Sequence, residues 1–96
     1  MTTLEITKEI VPVLKKFDVS FVGLFGSRSR GEAKENSDLD LLVRFRTPKS
    51  LFELIGLENE LSRVLHLNID IVTEGALHPL LKSNVLKDLR VLYGQR

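Results

Sequence analysis

Three aspartates and a glycine–serine pair are the residues of this chain best suited to chemistry. Asp38 and Asp40 open an apolar stretch with one residue between them, and ten residues separate Ser27 from Asp38. Side chains alternate along a strand, so both carboxylates would point the same way. Two negative charges that close push one carboxyl towards protonation unless a cation such as Mg²⁺ offsets the repulsion. The pair is consistent with a divalent-metal site, but also with two solvent-exposed aspartates at the start of a strand.

The third aspartate, Asp70, lies in the apolar stretch from Asn68 to Thr73. In a buried strand, a carboxylate surrounded by isoleucine and valine needs a partner or a metal ion. If this strand lies beside the one that carries Asp38 and Asp40, all three carboxylates share a face of the sheet. On a solvated edge strand, Asp70 would need no partner, and the residues alone leave both interpretations open.

Gly26 and Ser27 end the first apolar strand at a tight turn. Glycine lets a phosphate approach the backbone, and the turn offers N–H groups and a hydroxyl as donors. Arg28 and Arg30 follow and could reach phosphate oxygens, although an ordinary turn with solvated arginines fits the same residues. The two histidines, His66 and His78, have no metal-ligand spacing, so structural or surface positions are expected for both.

Apolar periodicity predicts the elements that would position these residues. In chain order it predicts a helix over Thr3–Phe17, strands over Val19–Phe25 and Asp38–Phe45, a helix over Leu51–Leu65, a strand over Asn68–Thr73, a helix over Pro79–Asp88 and a short edge strand over Arg90–Tyr93. Ser27–Ser37 is expected to form a loop, and Pro12 to kink or restart the first helix. Ser50, followed three residues later by Glu53, is typical of a capping box at the start of the second helix. We therefore expect one domain over residues 1–96 of class α+β (α/β-like), a small mixed sheet flanked by helices.

Composition narrows the class of protein. The chain has no cysteine, which excludes a disulfide framework and a thiolate metal site and suits a reducing compartment. Its net charge of +1 gives no general case for nucleic-acid binding. We find no signal peptide and no apolar segment near the roughly 20 residues that a membrane helix needs. A cytoplasmic protein without a membrane or nucleic-acid partner is expected.

The combination of these residues resembles the nucleotidyltransferases of the DNA polymerase β superfamily. The local amino-acid sequence around them resembles that of their minimal members (MNT domains). The matching segments are Leu24-Phe25-Gly26-Ser27, Ser29-Arg30-Gly31 and Ser37-Asp38-Leu39-Asp40-Leu41. Ser29 departs from the usual alanine, and we expect little effect from so small a change. The resemblance covers nearly the whole chain.

The resemblance implies a polymerase-β-like palm fold and assigns roles to the candidate residues. Asp38, Asp40 and Asp70 would be the catalytic residues and the ligands of two Mg²⁺ ions, and Asp70 would also accept the proton of the attacking hydroxyl. Gly26 and Ser27 would bind the β- and γ-phosphates of ATP, and Arg30 would add a contact to phosphate.

The same resemblance extends to MntA-type antitoxins, which are paired with HEPN ribonuclease toxins. It implies an enzyme that moves AMP from ATP onto a tyrosine of the toxin. Two alternatives remain: an antitoxin or scaffold that neutralises its partner by contact alone, and a small-molecule nucleotidyltransferase, which the lack of a second substrate domain disfavours. The sequence leaves the nucleotide base, the acceptor and a homo-oligomer undecided, since the apolar C-terminal residues suit an interface or the core equally well.

Overall fold

The structure is a computed structural model that describes residues 2–32 and 37–95. Its elements are α1 (Thr3–Lys16), β1 (Val19–Phe25), β2 (Leu39–Phe45), α2 (Leu51–Leu65), β3 (Ile69–Thr73), a 3₁₀ turn (Glu74–Ala76), α3 (Pro79–Asp88) and β4 (Arg90–Gly94). Each helix and strand matches its predicted bounds to within one residue. The predicted loop begins as a turn after Gly26, and residues 33–36 of that prediction lie outside the described part of the chain.

The strands form one mixed sheet in the order β3-β2-β1-β4. β1 pairs antiparallel with β2 on one side and with β4 on the other, whereas β2 and β3 run parallel. Parallel neighbours need a crossover connection, and α2 supplies it between β2 and β3. The α+β class, the mixed sheet and the edge position of the last strand are therefore confirmed.

One face of the sheet packs against α1 and α2. Alternation along β2 sends Leu39, Leu41 and Val43 to this face, and all three are completely buried. They meet apolar side chains of the two helices, including Ile10, Leu14, Leu57 and Leu61. Truncating one such side chain to alanine typically costs 2–5 kcal/mol, so this layer fixes the strands on which the aspartates stand.

The other face of the sheet carries the polar side chains of β2. Alternation places Asp40, Leu42 and Arg44 on it, as the sequence predicted. The Arg44 guanidinium lies 5.5 Å from the centre of the Phe21 ring and forms an ion pair with Glu74. These partners hold Arg44 at the end of the face away from Asp40.

The C-terminal apolar residues serve mainly the core. The Leu89 side chain lies against Gly23 so closely that a β-carbon on Gly23 would stand 2.9 Å from Leu89 Cγ. Leu92 is buried, whereas Val91 is exposed on the edge strand. Of the two explanations left open by the sequence, core packing accounts for Leu89 and Leu92.

Helix α1 runs through Pro12 without restarting, contrary to the restart that the sequence allowed. Pro12 cannot donate the hydrogen bond that Lys8 would otherwise accept. Both residues lie on the exposed side of the helix, where water can satisfy the free carbonyl. The buried side, which includes Ile10 and Leu14, is thereby left intact.

Both histidines lie at helix ends, where they act as capping residues. His66 adopts a left-handed conformation as the C-cap of α2, and His78 is the N-cap of α3, where its ring Nδ1 accepts a hydrogen bond from the Leu80 amide. The structural positions expected for them are confirmed. Ser50 and Glu53 form the predicted capping box at the start of α2.

Within residues 2–32 and 37–95, no helix combines the length and apolar character needed to cross a membrane.

Candidate functional site

The parallel pairing of β2 and β3 brings two of the three aspartates side by side. Asp40 and Asp70 are direct partners in the ladder, so they point to the same face from strands about 4.8 Å apart. Asp38 immediately precedes β2 and falls on the same face by alternation. The expectation that Asp70 joins the other two on one face is therefore confirmed.

Asp70 does not stand in a buried strand, which was one of the two interpretations of its apolar neighbours. β3 is an edge strand, and the Asp70 side chain is exposed. The isoleucines beside it point towards the helices, so their presence in the sequence gives no information about the environment of Asp70. Its position results from strand register instead.

A backbone hydrogen bond sets that register. The Leu39 amide, at the start of β2, donates to the Asn68 carbonyl just before β3 at 2.9 Å. The two strands consequently begin at the same level. Leu39 and Ile69, the first residues of the two strands, are ladder partners. Because each is followed directly by an aspartate, Asp40 and Asp70 come level with each other.

The electrostatics around Asp40 favour a positive partner. Burial, followed by the charges of Asp70 and then Asp38, raises the pKa of the Asp40 carboxyl, and the nearby Arg30 opposes this rise. The donor atoms are carboxylate oxygens, which suit Mg²⁺. A bound divalent cation would offset the repulsion that raises this pKa.

The carboxylates share a face without forming a closed coordination shell. In the described ranges, no three acidic or histidine side chains converge into a ready metal-binding cluster. Side-chain rotation would be needed to bring the three aspartates onto common ions. The assignment of Asp38, Asp40 and Asp70 as metal ligands thus stays a prediction, supported by the shared face and the chemistry of the donors.

Gly26 brings the turn after β1 against the Asp40 carboxylate. Phe25, the residue before it, is the ladder partner of Asp40. Gly26 has a φ of +76°, and a β-carbon there would overlap Asp40 Oδ2 and lie 3.1 Å from Asp40 Cγ. Glycine is therefore required both by the backbone conformation and by the contact with the carboxylate.

The turn is held by its own backbone. The Gly26 carbonyl accepts from the amides of Ser29 and Arg30 at 3.1 and 3.2 Å, and the Ser27 carbonyl accepts from the Glu32 amide at 2.9 Å. Among the described residues, the Ser27 hydroxyl has no hydrogen-bond partner. It is a donor left available to an anion beside Asp40.

Arg28 closes the loop rather than extending into solvent. Its Nε and Nη2 donate to the Ser37 carbonyl at 3.3 and 3.0 Å. Since Ser37 directly precedes Asp38, this contact ties the turn to the first aspartate across nine positions of sequence. The sequence offered phosphate or solvent as the partner of Arg28, and the structure gives it this loop carbonyl.

Arg30 and Ser29 both contact Asp88 at the C-terminal end of α3. The Arg30 guanidinium forms ion pairs with Asp88 at 2.7 Å and with Glu32 at 3.0 Å. The Ser29 hydroxyl donates to the main-chain carbonyl of Asp88. Ser29 is only 3% exposed, and among the described residues it is the only polar one that is buried. The hydroxyl links two distant segments, a contact that alanine could not make, and the expectation of little effect from this departure stays a prediction.

A surface cavity of about 520 Å³ lies elsewhere, around the C-terminal ends of β2 and β3. Its lining includes Arg44, Thr47, Lys49 and Glu74 but none of the predicted site residues. The aspartates stand at the opposite ends of these strands, on an open edge. Asp38 and Asp70 are exposed at this edge and Asp40 is partly buried, so a large molecule can reach the two exposed carboxylates.

Comparison with known proteins agrees with this arrangement. A family model described as a nucleotidyltransferase domain matches residues 4–92. A Methanocaldococcus jannaschii protein, named provisionally as a protein adenylyltransferase, is 44% identical over 84 residues, which are 88% of this chain and 90% of the relative. The protein adenylyltransferase MntA of Thermococcus cleftensis is 40% identical over 94 residues, or 93% of this chain and 95% of that protein.

Solved structures share the fold. A minimal nucleotidyltransferase, so named provisionally, superposes with a TM-score of 0.78 at 33% identity, covering 94% of this chain and 95% of that chain. A toxin–antitoxin crystal structure with AMP-PNP gives a TM-score of 0.81 at 24% identity, covering 94% and 74%. A complex of a tri-AMPylated Shewanella oneidensis HEPN toxin with its MNT antitoxin gives 0.76 at 20% identity, covering 98% and 74%. The last two likenesses concern the fold alone.

Proposed function

Because the chain belongs to the nucleotidyltransferase domain family, we propose that it transfers AMP from ATP to a tyrosine of a HEPN-type toxin and acts as the antitoxin. The observation that carries this proposal is the register that places Asp70 beside Asp40, with Gly26 against the Asp40 carboxylate. Relatives that match almost the whole chain are named protein adenylyltransferases. An AMPylated HEPN toxin bound to its antitoxin supports the choice of acceptor.

The open edge suits a protein acceptor. In the proposed step the tyrosine hydroxyl oxygen bonds to the α-phosphorus of ATP, and the bond from that phosphorus to the bridging oxygen of the β-phosphate breaks. Pyrophosphate leaves, and the hydroxyl proton passes to the Asp70 carboxylate. Asp70 can play this part because it is exposed on an edge strand, within reach of a side chain presented by another protein.

Asp38, Asp40 and Asp70 would hold two Mg²⁺ ions. When bound, such ions offset the charge that develops on the transferring phosphoryl group and on the leaving oxygen. The protein contributes three carboxylates on one face and a rigid backbone beneath them. Burial, and after it the repulsion from Asp70 and Asp38, raises the pKa of Asp40, and this repulsion makes the face a favourable place for positive charge.

Gly26, Ser27 and Arg30 would hold the triphosphate. Gly26 lets the turn lie against Asp40, so that phosphate held beside this carboxylate by metal ions would be within reach of the turn, and the Ser27 hydroxyl is a donor without a protein partner in the described ranges. Arg30 adds positive charge at the same turn, where a charge-assisted hydrogen bond to phosphate is roughly twice as strong as a neutral one. These contacts would hold the β- and γ-phosphates, which leave as pyrophosphate.

The proposal can be tested with purified protein, Mg²⁺, ATP labelled at the α-phosphate and a HEPN-type partner. We expect label on the partner with the wild-type chain and none with Asp38→Asn or Asp40→Asn. Glu9→Gln is a matched control, because Glu9 is an exposed carboxylate on α1 outside the site. Full transfer by both aspartate variants would contradict the proposed site. A partner that is bound but never labelled would indicate an antitoxin that acts by contact alone.

A further inference from the structure

The end of α3 contacts the turn through two separate groups of one residue. The carboxylate of Asp88 pairs with Arg30 Nη1 at 2.7 Å, and the main-chain carbonyl of Asp88 accepts from the buried Ser29 hydroxyl. The two contacts join positions 58 and 59 residues apart in the chain. A change of the Asp88 side chain therefore removes one contact and leaves the other.

The Arg30 guanidinium retains donors after these contacts are made. Its Nε is occupied by Glu32 and its Nη1 by Asp88, whereas its Nη2 has no hydrogen-bond partner among the described residues. The group also lies near enough to Asp40 to oppose the rise of the pKa of that carboxyl. Arg30 is thus fixed on one side and free to donate on the other, close to the carboxylates.

Asp88 is the stronger of the two anchors. The Glu32 side chain is 63% exposed and lies two residues from Arg30, so its ion pair is screened by solvent. The Asp88 carboxylate is 23% exposed and stands on an element that the Ser29 hydrogen bond ties to the turn. Holding a long side chain in one position removes rotamer freedom before a ligand arrives, which lowers the entropy lost on binding.

We propose that Asp88 is a positioning residue for ATP: it holds Arg30 at the turn so that the free side of the guanidinium meets the triphosphate. This rests on the proposed function, since it deepens the role given there to Arg30. Asp88 itself touches no substrate in this proposal. α3, which the motif does not include, thereby becomes part of nucleotide binding.

The test measures the Kd for a non-hydrolysable ATP analogue, and the KM for ATP and kcat of transfer, in Asp88→Ala, Arg30→Ala and the double variant. We expect Asp88→Ala to raise Kd and KM about tenfold and to change kcat by less than about twofold, as for the loss of an orienting partner. In the Arg30→Ala background, Asp88→Ala should have no further effect. Asp88→Glu should recover most of the affinity, because it retains the charge.

Glu32→Ala is the matched control, since it removes the solvent-screened ion pair with Arg30 and leaves the Asp88 pair in place, so the Kd should change by less than about twofold. Effects of Asp88→Ala and Arg30→Ala that add in full, an unchanged Kd in either single variant, or equal losses in Asp88→Glu and Asp88→Ala would overturn the inference. Failure of the proposed function is distinguishable from this. A wild-type chain that binds the analogue but labels no acceptor refutes transfer, and the Kd pattern still decides the role of Asp88.

Discussion

Substituting Gly26 with alanine should disturb the site far more than the same change at Gly31. Both glycines have left-handed φ values, +76° and +73°. A β-carbon on Gly31 would meet no atom of residues 2–32 and 37–95 within 4 Å, whereas one on Gly26 would overlap the Asp40 carboxylate. Gly31→Ala thus carries the backbone strain alone, and Gly26→Ala carries the same strain together with displacement of Asp40.

The expected losses of stability and activity follow from the backbone strain and from the displacement of Asp40. Alanine in the left-handed region costs roughly 1–2 kcal/mol, and 1 kcal/mol corresponds to about 4–8 °C in the Tm of a domain this small. Turning Asp40 away from its rotamer adds about 0.5–1.5 kcal/mol in Gly26→Ala only. Misplacing this carboxylate by about 1 Å should lower AMP transfer on the order of 100-fold, while Gly31→Ala keeps nearly full activity.

Thermal denaturation and transfer of labelled AMP measure the two effects. A double-mutant cycle isolates the contact: in an Asp40→Ala background, the stability lost on Gly26→Ala should fall to that of Gly31→Ala, because the carboxylate is gone. Equal Tm losses for the two glycine variants, or a cycle without coupling, would refute the reasoning that Gly26 is required by the Asp40 contact.

Three further predictions concern the same residues. The folded-state pKa of Asp40 lies above its ordinary value of 3.8, so its ionisation destabilises the fold at neutral pH. Asp40→Asn should therefore raise Tm near pH 7, and this gain should vanish as the pH falls below about 4, because Asp40 is then protonated in both the folded and the unfolded chain. Differential scanning calorimetry at several pH values measures the gain, and an equal gain at every pH would argue against the prediction. Arg28→Ala should loosen the segment before Asp38, because it removes the contact with the Ser37 carbonyl. Amide hydrogen exchange at residues 37–39 should then be faster than in the wild type, with exchange in β1 unchanged, and identical exchange would mean that the Ser37 contact is dispensable. Ser29→Ala should lower stability by about 1 kcal/mol in urea denaturation, and no loss would show that its hydrogen bond to Asp88 contributes nothing.

The elements and the class of fold could be predicted from the sequence because the relevant signals are local. Alternation along β2 assigned Asp40 and Leu41 to opposite faces, and the pair Ser50 and Glu53 marked the start of α2. Each of these signals spans only a few residues. The continuous course of α1 was harder to predict, since the tolerance of Pro12 depends on which side of the helix faces water.

The site was predictable only in part, because its contacts are set by tertiary structure. The sequence suggested Asp38, Asp40 and Asp70, but their common face depends on parallel pairing and on the hydrogen bond from Leu39 to Asn68. Asp88 gave no signal at all, since it lies 58 residues from Arg30 at the end of helix α3. Local patterns contain no information about such a partner.

Mass spectrometry of a co-expressed HEPN-type protein can test the claim that this edge of the sheet transfers AMP to a partner. With the wild-type chain, the partner's intact mass should increase by one or more AMP units, and peptide fragmentation should place them on tyrosine. With Asp40→Asn, the partner should be recovered unmodified. A partner that is neutralised and bound by the wild-type chain but carries no AMP would contradict the claim.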